Sequence, residues 1–141
     1  MKYQALVRAA QKAKKHSYSP YSRFRVGAAV LTLSGKVYSG CNIESASFSL
    51  TICAERTALF KAVSESARKF RALAIATDSE EFVPPCGACR QVIHDLAGNI
   101  DVVLVDAKGR SKQFKARSLL PAPFVDTLLP IERERGTGHA S

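Results

Sequence analysis

Two short stretches, Thr51-Ile52-Cys53-Ala54-Glu55-Arg56 and Pro84-Pro85-Cys86-Gly87-Ala88-Cys89-Arg90, constrain most tightly what this chain can fold into. Pro84 and Pro85 are excluded from a helix interior but suit its first turn, and Gly98 with Asn99 supplies a stop. The second stretch therefore predicts a helix from Cys86 to about Ala97, with Cys86 and Cys89 one turn apart on one face. Cys53 opens another segment, in which Ala54, Ala58, Leu59, Ala62 and Val63 recur at helical spacing. Unpaired N–H groups at a helix start lower thiol pKa values and favour negative charge. Two helix dipoles thus converge on one cation site.

Three protein ligands leave the fourth position of a tetrahedral zinc open to water, the arrangement of a hydrolytic site and not of a closed structural one. Three thiolates around a divalent ion carry a net charge of about minus one, which weakens the ion as an acid towards water. Arg56, one residue beyond Glu55, is placed to offset that charge by donating to the sulfurs. Glu55 lies two residues from Cys53 and can reach across the open face, which suits a general base and acid better than a ligand. Alone, Cys86 and Cys89 would also fit a structural zinc knuckle or a redox pair. Cys53-Ala54-Glu55 tilts the reading towards catalysis. Cys41, at the end of a predicted strand without a paired spacing, reads as a buried free thiol.

Cys-Ala-Glu-Arg-Thr-Ala at 53–58 and Pro-Cys-Gly-Ala-Cys-Arg-Gln at 85–91 resemble the zinc-dependent cytidine deaminases that act on free nucleosides. The similarity runs from Tyr18 to Phe124, through Tyr21-Ser22-Arg23-Phe24, Val26-Gly27-Ala28-Ala29, Gly40-Cys41-Asn42-Ile43-Glu44 and Leu119-Leu120-Pro121. It implies one zinc per chain, cytidine and 2′-deoxycytidine as substrates, and a homotetramer with shared active sites. It also implies that Asn42 and Glu44 hold the ribose, that Phe24 packs on the base, that the Ala54 backbone reads its edge, and that Phe124 reaches a neighbouring subunit's pocket. Without the resemblance, Asn42 and Glu44 read as turn or capping residues and Phe24 as core. Two positions depart from the family pattern: Phe48 stands where relatives often have tyrosine, and Arg25 where many have proline. A phenyl ring lacks the phenol's donor, which bears on contacts near the sugar's 5′ end.

The remaining sequence supplies a frame. Residues 3–15 predict an amphipathic helix with Leu6, Ala9, Ala10 and Ala13 on one side. Residues 24–33 predict a strand apolar on both faces and therefore central, followed by an antiparallel partner over 36–41. Residues 71–77 and 100–105 flank the Cys86 helix, so strand, helix and strand predict a parallel pair with a right-handed crossover. Only residues 106–112 precede the last strand, too few for a crossover helix, so that strand returns antiparallel. This short return resembles the free-nucleoside branch; the polynucleotide-editing branches place a helix there. The expected class is α/β, a three-layer α/β/α arrangement with a five-stranded mixed sheet.

At 141 residues with 46% hydrophobic content, the chain suits one domain over 1–141, with about 131–141 a mobile polar tail. The apolar runs are shorter than a membrane span, and Met1-Lys2-Tyr3-Gln4 lacks a secretory signal's apolar stretch, which points to the cytoplasm. Four cysteines, three assigned to metal, fit a reducing compartment. The net charge of +9 raises nucleic acid as a partner. The basic residues, however, are scattered without aromatic interleaving, as on a solvated surface, so nucleic acid is not expected. Ser118 to Phe124 is apolar and proline-stiffened and is expected to dock.

Overall fold

A computed structural model of the chain describes residues 2–129; the expected tail at 131–141 lies outside the described residues. Five segments pair into one mixed sheet: β1 (Val26–Thr32), β2 (Val37–Cys41), β3 (Phe70–Thr77), β4 (Asp101–Val105) and β5 (Ser111–Lys115). Their order is β2-β1-β3-β4-β5. β1 runs antiparallel to both β2 and β3, β3 runs parallel to β4, and β5 returns antiparallel to β4, as the short 106–112 link requires. That link is tightened by Asp106, whose Oδ1 accepts the N–H groups of Lys108 and Arg110, both at 2.9 Å. An aspartate that binds backbone two and four residues on replaces the helix a parallel return would need.

The side-chain alternation of the strands sorts the helices into two layers. On one face Ala29, Ala72, Ala74, Ala76 and Val103 meet Leu6, Val7 and Ala10 of α1 (Gln4–Lys14). On the other, Val30, Leu73, Ile75, Val102 and Leu104 meet α2 (Ala54–Ser64) and α3 (Gly87–Ala97). The result is the three-layer α/β/α sandwich. Leu59, Leu73, Ile93 and Leu104 are almost wholly buried, each worth about 1.5–3 kcal/mol in transferred apolar area. Two glycines set the spacing of these layers. A Cβ on Gly27 would stand 2.1 Å from the Ala10 carbonyl oxygen of α1, and one on Gly40 2.7 Å from the Ala58 nitrogen of α2. Helix backbone therefore lies directly against strand backbone on both faces.

Boundaries shift by one or two residues from the sequence expectations. Phe24 and Arg25 fall outside β1 because other groups hold their backbone. Asn42 Nδ2 donates to Phe24 O at 2.8 Å, and the Arg25 N–H donates to Asp78 Oδ2 at 3.1 Å. Pro84 and Pro85 precede the α3 helix instead of opening it; their fixed φ suits an extended entry, and Cys86 takes the N-cap. After β5, α4 (Ala116–Leu119) docks as the 118–124 segment was expected to: Leu119 packs on the α3 side of the core, and its carbonyl accepts from Arg90 Nη1 at 2.8 Å.

Candidate active site

Cys53 and Cys86 are the N-cap residues of α2 and α3, both with extended backbone, and neither sulfur caps its own helix. The two sulfurs are left for another partner. With Cys89, in the first turn of α3, they form a cluster whose Sγ atoms all lie within 4.8 Å of one another. Cys53 Sγ and Cys86 Sγ are 3.9 Å apart. A tetrahedral zinc with Zn–S near 2.3 Å spaces its sulfurs about 3.8 Å apart, so the cluster fits that ion. Cys89 is fully buried, Cys53 half-buried and Cys86 exposed, which closes the site on the core side and opens it at Cys86. Cys41 stands apart, half-buried, its thiol directed at the His16 carbonyl at 3.4 Å.

The electrostatics follow from this crowding. A hydrogen bond from Cys89 holds the Cys53 thiol down to about 5 against the opposing effect of its burial, and Arg56 adds to the lowering. The same bond, together with burial, pushes Cys89 upward. Sulfurs that compete for protons in this way exchange them readily for a soft divalent cation. Arg56 Nη2 donates to Cys53 Sγ at 3.3 Å, and that bond pushes its own pKa up. Among the described residues its Nε is buried without a hydrogen-bond partner. A guanidinium kept in such a place is held by its attraction to the sulfurs. Glu55 is 5% exposed, and burial pushes its carboxyl upward, with the negative charge on Cys53 adding to the rise. A buried carboxyl of raised pKa beside a metal-binding cluster is suited to taking up and passing on a proton.

A cavity of about 240 Å³ opens between the two helix starts, lined by Cys53, Ala54, Glu55, Cys86 and Asn42. Its volume is below the roughly 300–1,000 Å³ of clefts for drug-sized ligands, so it suits a single small ring. Ile75 and Thr77 line it from the end of β3, and Thr51, Ile52, Val83 and Pro84 line it from the extended segments entering α2 and α3. The sequence reading used Thr51, Ile52 and Pro84 only as parts of the two helix-start stretches and gave none of the six a place in the cavity. The signal was nonetheless present: they stand at a strand's C-terminal end and just before two N-cap cysteines, where open α/β sheets seat their ligands.

The other sequence-predicted residues distribute unevenly. Asn42 lines the cavity, but its amide also serves the backbone: Oδ1 accepts the Val26 N–H at 2.9 Å and the Ser17 hydroxyl, while Nδ2 donates to Phe24 O. Glu44 binds the Tyr21 and Ser22 N–H groups at 3.0 and 3.1 Å and the Ser22 hydroxyl, and the hydroxyl bond chiefly holds its carboxyl below the ordinary range. The turn role and the sugar role considered for this pair are therefore not exclusive, because hydrogen-bonding capacity remains on both. Phe24 is half-buried, and Phe24, Glu44 and Phe124 are outside the cavity lining. Phe124 is 53% exposed, beside His94, Asp95 and Leu129. Arg25, in place of the family's frequent proline, makes a two-point ion pair with Asp78 at 3.0 and 3.1 Å. Phe48 is exposed and meets Tyr21 edge to face. Among the described residues no helix is long and apolar enough to cross a membrane.

Three cysteines at two helix starts, with a buried glutamate and an arginine on the sulfurs, define a zinc-dependent hydrolytic enzyme on a three-layer α/β/α sheet. Residues 1–105 match the family model for the cytidine and deoxycytidylate deaminase zinc-binding region, and the chain belongs to that family, with zinc as its cofactor at the cysteine cluster. It is 48% identical over 125 residues to a cytidine deaminase of Sporosarcina psychrophila, covering 88% of this chain and 92% of that one. It is 44% identical over 119 residues to a probable cytidine deaminase of Dictyostelium discoideum, covering 84% and 80%. The crystal structure of cytidine deaminase from Burkholderia pseudomallei superposes with a TM-score of 0.84 at 45% identity, covering 88% of this chain and 100% of that one. That of Mycobacterium tuberculosis superposes with a TM-score of 0.75 at 35% identity, covering 89% and 98%.

Proposed function

We propose that this protein hydrolyses cytidine and 2′-deoxycytidine to uridine and 2′-deoxyuridine with release of ammonia. The observation that carries this reading is the buried Glu55 facing a small cavity beside the Cys53, Cys86 and Cys89 sulfurs. The relatives named cytidine deaminase at high coverage support it. Zinc held by the three sulfurs supplies the acidification of water that hydrolysis near neutral pH needs. Glu55 takes a proton from the water that adds to C4 of the ring, delivers one to ring N3, and later assists departure of the amine. Its raised pKa suits both directions of transfer. Arg56 keeps Cys53 anionic by donating to its sulfur.

Unused hydrogen-bonding capacity supports the substrate contacts. Asn42 Nδ2 has two hydrogens and gives one to Phe24 O, which leaves one for a sugar hydroxyl. Glu44 accepts three hydrogen bonds from the Tyr21–Ser22 turn, which leaves about one of its four lone-pair sites for the adjacent hydroxyl. Phe24 packs on the base and the Ala54 backbone reads its edge. The exposed Phe124 reaches the pocket of a neighbouring subunit in a homotetramer with shared active sites. The enzyme serves pyrimidine salvage in the cytoplasm, and free nucleosides, not polynucleotides, are its substrates.

The test measures ammonia release from free cytidine beside single-stranded DNA and RNA. Turnover of cytidine alone is expected; deamination confined to the polynucleotides would overturn the reading in favour of an editing enzyme. Glu55→Gln should retain zinc while losing about a hundredfold to ten-thousandfold in rate. Near-normal turnover with full zinc content would remove Glu55 from proton transfer.

A further inference from the structure

Gln91 stands two residues beyond Cys89 on α3, and its side-chain amide grips the backbone of Phe124 at two points. Nε2 donates to Phe124 O at 2.8 Å, and Oε1 accepts the Phe124 N–H at 3.2 Å. The second N–H of the amide goes to Asp95 Oδ1 at 3.0 Å, one helical turn on. A carboxylate only accepts, so Asp95 dictates which end of the amide is nitrogen and thereby turns Oε1 to the Phe124 N–H. The neighbouring Arg90 fastens the start of the same segment, with Nη1 on Leu119 O at 2.8 Å and Nε on Pro85 O at 2.7 Å. Pro121 and Pro123 restrict the chain between these two fastenings. The backbone of Phe124 is thus pinned to α3, while the residue remains 53% exposed.

An exposed phenylalanine on a backbone fixed by two hydrogen bonds is a presented side chain. We propose that Gln91, oriented by Asp95, is a positioning residue that sets how Phe124 is offered to a substrate in a neighbouring subunit's pocket. The proposal rests on the reading of Phe124 given above. The clamp also ties the ring's placement to α3, the helix that carries Cys86 and Cys89, so that one subunit's metal-bearing helix aims the aromatic wall of the next subunit's site.

Gln91→Met removes the amide at nearly constant volume on a partly exposed helix face. Loss of two neutral hydrogen bonds reduces the population of the productive Phe124 arrangement, raising KM for cytidine about fivefold to fiftyfold. Because the ring touches the base and not the proton route, substrate and transition state lose equally and kcat should stay nearly unchanged. Zinc content should also be unchanged. The decisive measurement is kcat/KM for Gln91→Met in the wild-type and Phe124→Ala backgrounds. A residue that acts only through Phe124 adds no further loss once the phenyl ring is gone. An equal Gln91→Met effect in both backgrounds, or an unchanged KM when Phe124 is intact, would overturn the Gln91 assignment alone. A Phe124→Ala protein with unchanged kcat/KM would instead refute the role of Phe124, and this proposal with it.

Discussion

Arg56→Ala tests how the site keeps three thiolates together. Arg56 Nη2 lies 3.3 Å from Cys53 Sγ. At an effective dielectric of about 20, two unit charges at that distance attract by roughly 5 kcal/mol before solvation is counted. Water and the neighbouring helix start recover part of this when the guanidinium is removed, and a hydrogen bond to a charged group is worth about 1.5–3 kcal/mol net. That corresponds to about 10- to 150-fold in zinc affinity, which overlaps the roughly 10- to 100-fold typical when partners of metal ligands are removed. The pH dependence has a definite sign. Zinc binding requires deprotonated thiols, and Arg56 helps hold Cys53 low; without it the Cys53 pKa rises and the zinc-binding midpoint moves to higher pH. Competition against a chromophoric chelator between pH 5 and 8 reads both quantities. Arg56→Lys, a point charge without the planar fork, should fall between the two proteins. If Arg56→Ala holds zinc within twofold of wild type across that range, charge compensation belongs to the helix starts and the reasoning fails.

Two further outcomes concern the frame. Gly27→Ala forces a methyl group against helix backbone, which cannot swing aside as a flexible side chain can, and should cost about 1–3 kcal/mol. Thermal melting should fall by roughly 3–12 °C, and an unchanged Tm would show that α1 rides freely over β1. Tyr3, buried and donating to Asp101 Oδ2 at 2.5 Å, has its phenol pushed up to about 12, first by burial and then by that carboxylate. Its folded pKa exceeds the unfolded value of about 10, so its contribution is intact below pH 10 and is lost as pH rises towards 12. Melting between pH 9 and 12 should decline more steeply for wild type than for Tyr3→Phe, and parallel curves would contradict the assignment.

The architecture was legible in the sequence wherever local chemistry leaves one option. Residues 106–112 hold too few positions for a crossover, so the direction of β5 followed. Strand, helix and strand over 71–77, 86–97 and 100–105 likewise left a parallel pair, as β3 and β4 form. The cysteine cluster was legible because helix starts can be read to within a residue or two from Pro, Gly and the helical period, although the N-cap role of Cys86 emerged only in the structure. The multiple use of polar side chains was not. Asn42 lines the cavity while tying Phe24 to β1, and Glu44 organises the turn at Tyr21 and Ser22. These partners lie about 16 to 23 residues away and have no period to announce them. Gln91 likewise reads as one polar residue of a helix until a segment 33 positions on brings Phe124 against it.

The distance along the chain between the two N-cap cysteines carries a consequence for folding. Cys53 and Cys86 are 33 positions apart, with α2 and β3 between them. An ion that binds both sulfurs closes this stretch into a ring and removes open-chain conformations from the unfolded ensemble, as a disulfide does. For a loop of this length the loop-closure account gives about 3.5–4 kcal/mol, a large share of an ordinary domain's total stability of about 5–15 kcal/mol. The availability of metal at synthesis therefore helps decide how much of the chain reaches the folded state, before a single substrate molecule is bound.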